Sequence, residues 1–404
     1  MKYWRGYLTA GILGLLTWGL IQLAGRFTDL VDMVYPYLTR TVQTFLAGWC
    51  GGVDFCVWQV LAVLLVVILL ASIVLMIGMR WKVFQWFGGV LTGGVLIYAL
   101  HTGVYGLNYQ AGSLAEDVRL NVTEYTLDEL EEATIYYRDI ANGLAQKLNR
   151  DENGDVIYPE FSELAQQAGE GFRVLTYEKS CSVFAGSTLP VKELGWADMY
   201  TAMGITGVTM PLTGEAAVNP QIPAVSLPFT MCHEMAHRMC IAIEQDANFA
   251  AFLACAENPS PEFRYSAYFM AYRYCYRVLA AVGTTDSAVA AARIATGVNG
   301  EMNHDLAAYD AFFKEKQNAG ATNLATAVND TYIKTSGDEE GVMSYGQVSD
   351  YLVSWYIQEV VAPTMVEEEQ KFDPYDENQV DLSGLPYSPT EESVPEDTEA
   401  EEEE

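Results

Sequence analysis

The chain has 404 residues, half of them apolar, yet it carries a formal net charge of −31 at pH 7. A single soluble globule does not combine those two properties, and so negative a balance argues against a nucleic-acid partner, which rewards basic surfaces. Segregation along the chain resolves the conflict: residues 1–105 hold six basic and three acidic residues, residues 364–404 hold sixteen acidic and one basic, and residues 106–363 keep the remaining −19.

The first part reads as membrane. Tyr7–Ala24 is an uncharged run of eighteen residues, Phe55–Met79 one of twenty-five and Val83–Leu100 another of eighteen. Each is long enough to cross a hydrocarbon core of about 30 Å. The first run also fits a cleaved signal peptide, with Lys2 and Arg5 ahead of it and Ala24-Gly25 behind, but two further spans make an anchor the simpler reading. Gly89 and Gly93, four apart in the third span, predict a close approach between helices. Lys2 and Arg5 lie before the first span, and Arg80 and Lys82 in the turn between the other two. The positive-inside rule then puts the N-terminus in the cytoplasm and everything after about Tyr105 outside. An interfacial helix is expected around Tyr35–Leu46, with Pro36 near its start. Cys50 and Cys56 lie together at the outer end of the second span and can pair if that face is oxidising. The other five cysteines form no metal-binding framework and read as buried thiols.

Residues 106–363 read as one mainly helical domain. Thr126-Leu127-Asp128-Glu129 fits a capping box, and a helical pattern runs on to about Leu148. Asp151–Asp155 is a turn; it lacks the glycine and the complete ligand set of a calcium loop. Gly207–Val218 is the one convincing extended stretch. Glu215, inside it, reads equally as a site residue or as a turn carboxylate.

His233-Glu234-Met235-Ala236-His237 is an H-E-x-x-H pentad and uses two of the chain's four histidines. Residues four apart share a helix face, so the two imidazoles can grip one ion while Glu234 reaches its bound water. A buried helix with two satisfied histidines is the bland alternative. Pro228 suits a first helical turn. A third ligand is required, and Glu244 is the nearest candidate. On one unbroken helix it would lie about 10 Å too far along the axis. The helix must therefore end near Met239-Cys240-Ile241 and a second must fold back, opening at Glu244, with Asn248 one turn on to orient it. Alternatively, Glu244 and Asp246 merely favour the second helix's N-terminus.

Glu244-Gln245-Asp246-Ala247-Asn248 resembles the E-x-x-A-D/N element of gluzincin peptidases such as the CAAX prenyl protease group. More closely, Lys192–Tyr276 is similar to an uncharacterised bacterial family of membrane-anchored proteins known only as a domain of unknown function. Matching blocks include Gly204–Gly207, Pro211–Asn219, Leu227–Thr230, Glu244–Phe249, Phe263–Tyr268, Val328–Lys334 and Gly341–Gly346, and the likeness extends from about Ala99 to Ala362. The resemblance implies a Zn2+ site. The family usually carries glycine at the position of Cys240, where a left-handed turn would strain a cysteine, and its second carboxylate is usually glutamate where this chain has Asp246. Tyr265, Tyr332 and Tyr345 sit in matching blocks, and a tyrosine often steadies the oxyanion in zinc peptidases; no spacing chooses among them.

The expected fold class is mainly α: three transmembrane helices (about 7–24, 55–79 and 83–100, within a membrane domain 1–105), then a mostly helical zincin-like domain (106–363) with a short β hairpin or edge strand, then a disordered acidic tail (364–404). Helices are expected near 159–169, 264–282, 287–297, 304–317 and 344–361. The expected function is a bacterial, multi-pass, zinc-dependent metallopeptidase. His233, His237 and Glu244 would hold the ion, Glu234 would act as general base, Asn248 and Asp246 would support them, and the substrate would be a polypeptide outside the bilayer. A zinc-containing or inactive membrane sensor is the alternative.

Overall fold

A computed structural model describes residues 4–336 and 348–364. The chain is mainly helical with few strands. Helix α1 (Arg5–Arg26) is followed, after Phe27 alone, by α2 (Thr28–Cys50), then by α3 (Val57–Gly78) and α4 (Val83–Val104). Of these, α1, α3 and α4 are long and apolar enough to cross a membrane. The acidic tail and Tyr345 lie outside the described residues, and residues 359–364 are helical.

Helices α1 and α4 pack closely. A side chain at Gly6 would strike the backbone of Gly88, Thr92 Oγ1 donates to the Gly6 carbonyl at 2.8 Å, and Tyr7 Oη donates to the Phe84 carbonyl at 3.0 Å. The close approach is thus at Gly88 rather than at Gly89 and Gly93, which have open space where a side chain would be. One residue is about 100° of helix rotation. That step turns Gly89 and Gly93 away from α1 toward a cleft of about 710 Å³ between α3 and α4.

Helix α2 is longer than the expected 35–46 and its inward face is polar. Tyr35 Oη donates to the Thr102 carbonyl (2.7 Å), Gln43 Nε2 to that of Pro211 (3.0 Å), and Arg40 to those of Met239 and Ser182 (3.1 Å each). The cysteine thiols are free, and Cys56 Sγ donates to the Glu193 carbonyl at 3.3 Å.

Beyond α4 come α5 (Leu114–Asp117), α6 (Leu127–Ala145), α7 (Phe161–Gln167), α8 (Gly169–Arg173), strand β1 (Lys192–Glu193) and α9 (Ala197–Ala202). Helix α6 opens on the expected capping box between Thr126 and Glu129. Strands β2 (Gly207–Met210) and β3 (Glu215–Val218) form the expected hairpin, and β1 adds parallel to β3, giving the order β1-β3-β2. Then follow α10 (Leu227–Arg238), α11 (Glu244–Ala256), α12 (Pro261–Ala281), α13 (Thr285–Thr296), α14 (Gly300–Lys316), α15 (Ala319–Ser336) and α16 (Val348–Tyr356).

The core lies where α10, α11 and α12 meet α6 and α16. Tyr137, Phe249, Phe252 and Phe269 are fully buried there, each side chain contributing about 1.5–3 kcal/mol by leaving water. Tyr137 Oη is satisfied by the Leu352 carbonyl at 2.7 Å. The sheet covers the other flank of α10, which is therefore buried nearly all round.

Glu215 belongs to neither of the roles its sequence context offered. Its buried carboxylate accepts hydrogen bonds from the backbone N–H groups of Val57 (2.8 Å) and Trp58 (2.9 Å) and pairs with Lys192 Nζ at 2.7 Å. Those N–H groups open α3 and have no partner inside the helix, so an acidic side chain from the sheet caps a membrane-spanning helix. Lys192 Nζ also donates to the carbonyls of Cys50 and Phe55, closing the link between α2 and α3.

Candidate metal centre

Helix α10 starts with Pro228 in its first turn and ends at Arg238. Its end is a Schellman motif: Ile241 N–H donates to the Ala236 carbonyl (3.1 Å) and Cys240 N–H to that of His237 (2.9 Å). The motif needs a left-handed residue between, and Cys240 supplies it at φ +69°. Glycine is the usual occupant; cysteine there costs about 1–2 kcal/mol. The thiol points away from the pentad, into a small cluster with Tyr105, Tyr109 and Ala242. Burial, set against contacts with Thr39, Arg40 and Asn108, pushes its pKa up to about 11, which keeps it a neutral thiol.

The turn brings Glu244, first residue of α11, back over the pentad. His233 Nε2 and His237 Nε2 are 3.0 Å apart, and Glu244 Oε2 lies 3.3 Å from the first and 3.6 Å from the second. Two ligands at about 2.0–2.1 Å from a tetrahedral ion are separated by about 3.3–3.4 Å, so the three atoms stand close to three corners of such a shell. Their chemistry agrees. His237 Nδ1 meets the Ile241 carbonyl at 2.8 Å, which makes Nδ1 the donor and turns the Nε2 lone pair toward the centre. Apart from those two imidazole nitrogens, Glu244 Oε2 is buried with no hydrogen-bond donor among the described residues. These residues could hold a metal ion.

The electrostatics are those of an acid between two bases. Burial pushes the Glu244 carboxyl up, but the two imidazoles outweigh it and hold the group well below the usual carboxylate range. Burial pulls His237 down, but Glu244 outweighs it and the ring rises to about 9. Burial pushes Glu234 up, opposed by His233, His237 and a hydrogen bond from Thr209.

Strand β2 positions Glu234. Thr209 Oγ1 lies 2.8 Å from both the backbone carbonyl and Oε2 of Glu234. Two residues earlier the strand passes so close that a Cβ on Gly207 would collide with the Glu234 carboxylate. The sequence pattern offered no sign of Thr209's part.

Other expected residues sit elsewhere. Asn248 Oδ1 accepts from Tyr274 Oη at 3.2 Å, and its amide nitrogen is buried with no partner among the described residues, so it makes no bond to Glu244. Asp246 faces away from the imidazoles: Oδ2 accepts from Leu114 N–H at 2.9 Å, and Tyr351 also bonds to this carboxylate. Two residues along a helix is about 200° of rotation, so Glu244 and Asp246 cannot share a target. Tyr265 is likewise committed, donating to Asp305 Oδ2 at 2.5 Å, where Asp305 also pairs with Arg150. Of Tyr332 only the backbone, in α15, is described. Tyr274, which no motif marked, is the tyrosine on the Glu244 side of α12; burial, Tyr309 and Glu244 all push its hydroxyl pKa up.

No curated protein and no solved structure matches the chain. A family model described as a protein of unknown function (DUF3810) matches residues 31–353, from within α2 to within α16. With the match taking in α3, α4, the sheet and His233, His237 and Glu244, the chain belongs to that family.

Proposed function

We propose that the protein is a membrane-anchored, zinc-dependent metallopeptidase. The observation that carries this reading is the spacing of His233 Nε2, His237 Nε2 and Glu244 Oε2, at 3.0, 3.3 and 3.6 Å, with the Glu234 carboxylate buried on the same helix. Three protein ligands leave a fourth position for water or substrate, the pattern of catalytic rather than structural zinc. A zinc ion there supplies an acidified water and a Lewis acid for a carbonyl. Glu234 takes the proton of the attacking water and is held ready by Thr209. Among the described residues strand β2 pairs only with β3, and its other edge is where an extended peptide can add as a further strand. Basic residues at the start of the chain, Lys2 and Arg5, and between α3 and α4 favour a cytoplasmic N-terminus and a metal centre on the opposite side.

The test is Glu234→Gln in the purified full-length chain, assayed for metal content and for cleavage of a mixed peptide library. A peptidase keeps its metal and loses about 10²–10⁴-fold in rate. A sensor or binding module would show no hydrolysis in either form, and that result removes the peptidase reading while leaving the metal centre.

A further inference from the structure

Helix α2 has its polarity reversed. The face against the rest of the protein carries Thr39, Arg40 and Gln43, all buried, while Leu30, Val34, Leu38, Phe45 and Trp49 are exposed along the opposite face at helical spacing. A surface helix of a water-soluble domain does the opposite. The inward donors of Arg40 and Gln43 meet backbone carbonyls, those of Val104, Ser182, Pro211 and Met239, and Gln43 Oε1 is buried with no partner among the described residues. Of the three charges on α2, Arg40 and Asp32 are used inward, Asp32 accepting from Gly112 N–H at 2.9 Å; only Asp29 remains.

The ends of α2 say what covers the apolar stripe. Its N-terminus follows α1 after one residue, and its C-terminal carbonyl, Cys50, shares Lys192 Nζ with the carbonyl of Phe55, two residues before α3. Twenty-three residues of helix span about 34 Å. So α2 sets the start of α3 apart from the end of α1, which runs with α4, whereas at their other ends α3 and α4 are joined by four residues, Met79–Lys82. The cleft between α3 and α4 is the consequence, and Leu65, Leu69, Val90 and Ile97 line it with apolar surface.

We propose that α2 is a lipid-seated strut: its exposed stripe rests in the leaflet on the metal-centre side, and acyl chains fill the space between α3 and α4. Lipid is the occupant because the stripe joins two membrane-spanning helices end to end, and Tyr37 and Trp49 give it the aromatic residues favoured at headgroup depth. Through Arg40, the same helix holds the Met239 carbonyl beside the left-handed Cys240, so the metal centre is tied to the membrane surface. This inference does not depend on peptidase activity.

The test uses the full-length chain in phosphatidylcholine–phosphatidylglycerol nanodiscs, with a nitroxide attached at Leu38→Cys or Phe45→Cys and the signal of the parent chain subtracted. Val66→Cys in α3 and Glu193→Cys on the exposed end of β1 serve as lipid and water references. Leu38 and Phe45 should match Val66, with strong relaxation by oxygen and weak relaxation by a nickel chelate. Quenching of tryptophan fluorescence by lipids brominated on their acyl chains should fall in Trp49→Phe. Strong relaxation by the nickel chelate, as at Glu193, would overturn the proposal. Protection from both reagents would also overturn it, by showing that a second copy or another protein covers the stripe.

Discussion

His237 Nδ1 meets the carbonyl oxygen of Ile241 at 2.8 Å, across a turn whose left-handed residue is Cys240. The same turn that reverses the chain to deliver Glu244 therefore fixes the ring that Glu244 must face. Bend and ligand orientation are one device.

Substitutions at Cys240 test it. Cys240→Gly relieves about 1–2 kcal/mol of backbone strain and gives up the burial of a small thiol, so thermal stability should change little or rise and metal binding should persist. Cys240→Val puts a β-branched residue at φ +69° and should lower both stability and metal affinity. Thermal unfolding with and without chelator reads both. Equal behaviour of the two variants would mean that the turn does not control the site.

The metal-free protein should have an inverted pH response. The folded-state pKa of His237 lies at about 9, above its ordinary 6.5, so its contribution to stability is present below pH 6.5 and lost as pH rises through 9. Glu244 is shifted down, so its contribution is present above 4.5 and lost as pH falls. Chelated protein should therefore be most stable between these two ordinary values. Metal binding displaces the imidazole proton, so the stabilisation gained on adding zinc should grow from pH 6 to 9. Melting temperatures across that range, in both forms, check the crossing trends.

Gly207→Ala should separate metal binding from the work of Glu234. The three atoms nearest a methyl group there all belong to the Glu234 side chain. Metal content should be unchanged and any hydrolysis reduced by at least about tenfold, equivalent to 1.4 kcal/mol in the barrier.

Glu215→Ala should destabilise without touching the site. It leaves Lys192 with a buried charge and the first N–H groups of α3 without their acceptor. Breaking such a buried pair costs about 3–5 kcal/mol. A large drop in thermal stability in detergent, at unchanged metal stoichiometry in the folded fraction, is the expected result.

What the sequence made legible was local. The pentad, the first-turn proline, the break near Cys240 and the Thr126 capping box each need only a few consecutive residues. Roles set by distant partners were not legible: Glu215 meets α3, 158 residues away, and Arg40 meets Met239, 199 residues away. Helix phase decided the remainder. Tyr265 and Tyr274 are nine residues apart on α12, about half a turn out of phase, so one faces Asp305 and the other Asn248. The matching block drew attention to Tyr265 without saying which way its side chain points.

The most direct measurement is the metal stoichiometry of the purified full-length chain by elemental analysis, beside His233→Ala, His237→Ala and Glu244→Ala. One zinc per chain, lost in each of the three variants while they remain folded, is the predicted result. A metal-free parent protein that takes up no zinc on titration, or a zinc content indifferent to Glu244, would contradict it.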